Sequence, residues 1–288
     1  MSNYVIFTDS ACDIAPAILK EWGVEHIELS FRFQNEDREY LNNEMDIKEF
    51  YNRMRDGETA KTAAANPEQF MEAFEKILNE GKDILYLGFS SGLSTTYNSA
   101  RYAASELSEK YKDRKILTID TLCASSGQGL LVYLAAKQRD KGESIEEVAV
   151  FVERNKLNLC HWFTVDDLVY LKRGGRISPT LAFVGSVLGI KPVLHVDDAG
   201  KLVSVSKARG RKAALNALAD KYGELAKDTK NGTIFICQAD CMEDAKILKA
   251  TLKEKYKADV RMITNTGAVI GAHSGPGTIA IFFIGKER

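Results

Sequence analysis

Strand and helix signals alternate through the first half of the chain, and this alternation constrains the fold more than any single motif. Tyr4–Thr8 (YVIFT) reads as a short buried strand, and Pro16–Trp22 opens a helix that Gly23 ends. Val24–Phe31 reads as a second strand. Asp46 caps a helix carrying Ile47, Phe50, Tyr51 and Met54, and Asn66 caps the next, with Pro67 first and Gln69 three residues on. Strand Asp83–Phe89 leads through a turn to a helix ending near Tyr111. Strand Lys115–Asp120 then feeds a helix around Gly129–Arg139, and Ser144 with Glu147 opens another. Such a pattern predicts a mainly parallel sheet with helices on both faces.

From Leu159 the texture changes. LCHWFTV is an aromatic strand, and DDLVYLKRGGRI a short helix ending at a double glycine. Pro192–Val196, the turn DDAG and Lys201–Ser206 read as an antiparallel hairpin. Helix Arg211–Lys227, strand Thr233–Gln238, helix Met242–Lys255 and strands Val260–Thr264 and Ile279–Ile284 follow. The chain of 288 residues is therefore expected to be α/β with two domains. These are an N-terminal α/β domain over residues 1–160, holding hydroxyl-rich loops, and a C-terminal α+β domain over 161–288.

Composition removes several classes. Lys plus Arg is 39 against 40 Asp plus Glu, a net charge of −1, so no whole-chain attraction to nucleic acid or anionic membrane exists. The N-terminal MSNYVIFTDSACD lacks the basic and apolar regions of a signal peptide. The longest apolar stretch, Leu181–Ile190, is too short to span a bilayer. The odd set Cys12, Cys123, Cys160, Cys237 and Cys241 suits reduced, buried thiols rather than disulfides. Cys237 and Cys241 lack the partners that would complete a metal site. A cytoplasmic monomer without stable membrane insertion, metal or cofactor is expected.

Three polar loops lie at strand ends or helix starts, where α/β proteins bind ligands. They are Thr8-Asp9-Ser10, Lys61–Asn66 (KTAAAN) and Gly88–Tyr97 (GFSSGLSTTY). The last gathers Ser90, Ser91, Ser94, Thr95 and Thr96 before a helix, whose free N–H groups welcome an anion. The same pattern also fits Ser94 or Thr95 simply capping that helix, and a strand-end turn accounts for Asp9 and Ser10. Gly271–Gly277 (GAHSGPG) reads as a flexible turn holding His273, the best functional candidate of the four histidines. His161 and His195 sit in strand-like runs and His26 on a strand face. An enzyme reading competes: Gly88-Phe89-Ser90-Ser91-Gly92 matches the nucleophile elbow of serine hydrolases. Asp120 or Asp166 and then His273 would complete the order, although Gly92 and Leu93 delay the helix that should follow at once. The basic run Lys172-Arg173-Gly174-Gly175-Arg176 fits a helix C-cap with Gly174 in a left-handed conformation, or a docking patch.

Taken together and in order, FTDSACDI, KT…NPEQF, GFSSGLSTTYNSA, LVYLKRGGRI, IKPVL, KARGRKAAL and GAHSGPGTIAIFF resemble the DegV family. These are bacterial fatty-acid-binding proteins that act as the B subunit of fatty acid kinase. The resemblance implies one long-chain fatty acid in an apolar tunnel and no catalysis by this chain. It implies that Thr62 and Ser94 hold the carboxylate, with the Thr95 N–H and His273 assisting. A separate kinase subunit would make the acyl phosphate, and Arg173, Arg176 and Arg209 would touch that kinase or the phosphoryl group. Two departures stand out. Ala63-Ala64-Ala65 replaces a loop closer to Ser-Gln-Pro, and Ser94-Thr95-Thr96-Tyr97 replaces Ser-Gly-Thr-Tyr.

Overall fold

The computed structural model describes residues 3–177 and 189–288. The Leu181–Ile190 stretch falls largely outside them. Strands β1 (Tyr4–Asp9), β2 (Val24–Ile27), β6 (Asp83–Gly88) and β7 (Ile116–Asp120) form one sheet in the order β2-β1-β6-β7. All three pairings are parallel. Alternation along β6 explains its unbroken apolar run. Ile84 and Tyr86 pack with Phe7, Phe70, Phe74 and Ala103, beneath helices α3 (Pro67–Asn79) and α4 (Thr96–Lys110). Leu85 and Leu87 face the opposite way, toward α5 (Ser125–Arg139) and α6 (Ile145–Asn155).

A mixed sheet of six strands follows in the order β10-β9-β8-β13-β11-β12. Its strands are β8 (Leu159–Thr164), β9 (Ile190–Val196), β10 (Leu202–Arg209), β11 (Ile234–Gln238), β12 (Val260–Asn265) and β13 (Ile279–Ile284). Only β11 and β12 pair in parallel. Helices α8 (Arg211–Leu225) and α9 (Met242–Tyr256) cover one face, over Tyr222, Leu248, Ile281 and Phe283. The other face meets α5. That helix is buried continuously from Ser125 to Tyr133 because it is packed between the two sheets. A single core cluster therefore runs from Leu85 through Leu130 to Phe163, Phe235 and Phe282. Of the described residues, no helix is long and apolar enough to cross a membrane.

Two expectations need correction here. Val24–Phe31 is not one strand: it breaks after Ile27, and Ser30–Phe33 (β3) joins a separate antiparallel sheet with β4 (Tyr40–Leu41) and β5 (Ala60–Ala63). The start of the KTAAAN stretch is accordingly strand rather than loop. An aromatic cluster holds this small sheet to α2 (Ile47–Arg55), with Phe31 and Phe50 edge to face at 5.1 Å. The segment Ala268–Ser274 is the second correction. It forms a helix, α10, where the glycine content suggested only a turn.

That helix is started by distant side chains rather than by its own sequence. Gly267 N donates to Asp13 Oδ1 at 2.9 Å and Val269 N to Asn42 Oδ1 at 2.8 Å, so two otherwise unpartnered helix N–H groups are satisfied. Tyr51 Oη donates to the Thr266 carbonyl at 2.8 Å. A Cβ on Gly271 would lie 2.4 Å from that same Tyr51 oxygen, so only glycine lets α2 and α10 approach this closely.

Candidate functional site

Strand alternation sets the first site residue. In β5, Lys61 and Ala63 are exposed while Ala60 and Thr62 turn inward. Across from Thr62, the last turn of α10 presents His273, and Thr62 Oγ1 lies 2.9 Å from His273 Nε2. The imidazole is kept neutral: burial, and then the nearby Arg176 guanidinium, push its pKa down to about 4. Its Nδ1 finds no polar partner among the described residues. A Cβ on Gly174 would sit 2.1 Å from that nitrogen, so the glycine backbone packs directly against it. A bare lone pair suits such a place better than an N–H. The tautomer this selects carries its proton on Nε2 and donates to Thr62 Oγ1, freeing the threonine hydroxyl to donate elsewhere.

Ser94 and Thr95 lie in the turn between β6 and α4. Ser94 Oγ accepts from Thr96 N at 3.2 Å and lies 2.9 Å from Thr96 Oγ1. With its acceptor side engaged, the Ser94 O–H can point outward. Thr95 itself makes no side-chain cap, so the plain capping reading fails for it and survives in part for Ser94.

Thr62, Ser94, Thr95 and His273 all line one cavity of about 490 Å³, within the ~300–1,000 Å³ usual for small-ligand sites. At its rim Ala63, Ser91, Thr95 and Asn98 are exposed, whereas Thr266, Ala280 and Phe282 on its wall are buried. Leu29, Phe89, Phe163, Leu171, Val196 and Val269 make much of the rest apolar. The hydroxyl cluster thus stands on the wall of a largely apolar cavity that opens to solvent beside Thr95 and Asn98. A carboxylate there would find several donors, while an attached apolar chain would be removed from water.

Of the three arginines, Arg176 belongs to this cavity. It is half-buried, its Nε donating to the Leu93 carbonyl at 3.2 Å. Arg173 and Arg209 are exposed, away from the cavity wall. The helix C-cap expectation also shifts by one residue: Gly174 is right-handed at φ −73° and Gly175 takes the left-handed place at φ +69°. His161, expected to be packed, is buried but also lines the cavity. Its Nδ1 lies 3.0 Å from the Leu159 carbonyl and Nε2 accepts from Ala124 N, so it too is neutral, with burial lowering its pKa. His195 stacks on Trp162 at 4.9 Å, and His26 pairs with Glu28.

The serine-hydrolase constellation does not assemble. Ser90 is fully buried and donates to the Gly200 carbonyl at 2.8 Å. Asp120 accepts from Ser91 N and Leu122 N, Asp166 pairs with Lys191 and Arg211, and His273 is bonded to Thr62. The G-x-S-x-G spacing has a packing cause instead. A Cβ on Gly92 would meet the Ala199 carbonyl oxygen at 2.6 Å, so the motif receives the β9–β10 turn. Among the described residues no His, Cys, Asp and Glu cluster could hold a metal.

Behind the cavity, Asp13 is buried and joins α5 to α10, accepting from Ser125 Oγ at 2.5 Å and from Gly267 N. Burial outweighs these bonds and raises its pKa from 3.8 to about 7. A folded-state value above the unfolded one means the native protein binds more protons between those limits. Stability therefore falls as pH rises from about 4 to 7, by at most about 4 kcal/mol. Denaturation at pH 5 and pH 8 should show the larger part of this loss, and Asp13→Asn should flatten it. An unchanged slope in that variant would assign the effect to another group.

An α/β chain with a ligand-sized, largely apolar cavity rimmed by hydroxyls defines a class, and comparison makes it specific. Residues 3–286 match the family model described as "Uncharacterised protein, DegV family COG1307". A DegV domain-containing protein of Clostridium perfringens is 46% identical, covering 100% of this chain and 99% of its own. The chain belongs to the DegV family. Among solved structures, a DegV family protein from Thermus thermophilus described by its fatty acid binding is 28% identical. It has a TM-score of 0.89 and covers 98% of this chain and 99% of its own. A stearic acid-binding protein from Eubacterium ventriosum is 26% identical at TM-score 0.88, covering 98% of each chain.

Proposed function

We propose that this protein binds one long-chain fatty acid in the cavity, with the carboxylate held by Thr62 and Ser94. The Thr95 N–H completes the donor set, and His273 acts through Thr62. The observation that carries this reading is that Thr62, Ser94, Thr95 and His273, from three segments far apart in sequence, line one largely apolar cavity. Relatives of the same fold that bind fatty acids support it. In this reading residues 1–160 and 161–288 are two domains that enclose the ligand between them. The protein is a non-catalytic, cytoplasmic, monomeric carrier.

The carrier presents its ligand to a separate kinase subunit, which phosphorylates the carboxylate. A head group near the cavity mouth, with exposed Thr95 and Asn98 beside it, leaves the reacting oxygen within reach of a partner. Arg173 and Arg209 are exposed and suit docking, whereas Arg176 contributes positive charge at the cavity itself. The double variant Arg173→Ala with Arg209→Ala should lower turnover by the kinase about ten-fold or more while leaving fatty acid affinity unchanged. Equal loss of both would end the docking assignment.

A further inference from the structure

Asp13 lies directly behind the cavity wall and takes no part in the head-group site. Its carboxylate accepts from the Ser125 hydroxyl and from Gly267 N, and the Cys237 thiol lies 3.8 Å away. Ser125 lines the cavity, and so does Thr266, whose Oγ1 is 3.1 Å from the same thiol. The carboxyl is therefore bonded both to a residue of the wall and to the start of α10, the helix that carries His273.

No cation answers this carboxyl. Lys, Arg and His make no contact with it among the described residues, and residues 178–188 contain none of the three. The titratable groups that face it are all acids: Asp9 from β1, Cys12 beside it in the chain, Tyr51 from α2 and Cys237 from β11. Burial keeps the two thiols and the phenol protonated. Asp9 is tied to Ala11 N, Phe89 N and Tyr86 Oη. From α5 and α10 come Ser125 and Gly267, which do not titrate. On the cavity side His161 and His273 are already neutral, and Arg176 keeps its charge.

A fatty acid entering the cavity changes these surroundings in one direction. Its chain displaces water from the wall at Ser125, and its carboxylate adds negative charge without adding a cation. Both changes disfavour the ionised form of Asp13. We propose that filling the cavity drives a proton onto Asp13, so that fatty acid binding is proton-coupled and weakens in alkaline solution. This rests on the fatty-acid reading of the cavity and adds a regulation to it. The Asp13 pKa of about 7 sets where the effect begins. Below it the carboxyl is protonated with or without ligand, and affinity is flat. Above it the free protein ionises first, so affinity falls with rising pH until the bound protein ionises too.

The test titrates palmitate calorimetrically into wild type at pH 7.5, in phosphate and in Tris, whose ionisation enthalpies differ. Affinity is then followed from pH 6 to pH 9. Wild type should take up a fraction of a proton per ligand and lose about ten-fold in affinity over that range. Asp13→Asn should show neither effect. Ser125→Ala removes a donor to the anion and should move the loss to higher pH, a second reading should Asp13→Asn fail to fold. Identical binding heats in the two buffers would overturn the proposal. So would an uptake that persists in Asp13→Asn, which would place the proton on Asp9 or on the ligand. Failure of wild type to bind palmitate anywhere in the range would instead overturn the fatty-acid reading itself.

Discussion

A protein carrying both Thr62→Ala and Ser94→Ala is expected to emerge from purification free of lipid. Added palmitate or oleate should then bind it at least about a hundred-fold more weakly than wild type. Each hydroxyl removed takes away a hydrogen bond to a charged group, worth about 1.5–3 kcal/mol where water is excluded. In the proposed reading the pair removes both hydroxyl donors to the carboxylate. Both side chains are half-buried at the mouth rather than in the core, so thermal stability should change little. Native mass spectrometry of the variant reads the result. Full occupancy would remove Thr62 and Ser94 from the head-group site.

The second large effect arises from a residue that would never touch the ligand. Gly174 is right-handed at φ −73°, a conformation any residue accepts, yet its added Cβ would lie 2.1 Å from His273 Nδ1. Gly174→Ala must therefore move the imidazole, breaking its 2.9 Å contact with Thr62. Fatty acid affinity should fall about ten-fold, and unfolding should cost no more than the 1–3 kcal/mol of ordinary overpacking. Since both act through the same ring, Gly174→Ala should add little in a His273→Ala background. Gly175→Ala is the contrasting variant: its φ of +69° strains an alanine, but nothing lies within 4 Å of the new carbon. It should lower stability and spare binding. Full additivity of Gly174→Ala with His273→Ala would refute the link through the ring.

The two main sheets were legible because their signal is periodic. Runs such as DILYLG declare strands buried on both faces, and capping boxes at Asn66 and Ser144 fix helix starts from local residues alone. What escaped was set by distant contacts. Ala60–Ala63 is too short and too alanine-rich to read as a strand, and becomes one by pairing with Ser30–Phe33. Helix Ala268–Ser274 contains Gly271 and is flanked by glycines, so its propensity is poor. It exists because Asp13 and Asn42, far away in sequence, cap it. Thr62, Ser94 and His273 could be named from their types and positions, but their meeting in one cavity depends on those two elements. Arg176 lies in a basic run that looks like surface, and its contact with the Leu93 carbonyl draws it inward.

Native mass spectrometry of the purified protein, followed by solvent extraction and lipid analysis, tests the central claim most directly. One bound mass matching a single long-chain fatty acid, released on denaturation, is the predicted result. A clean unliganded mass that takes up neither added oleate nor palmitate would contradict it.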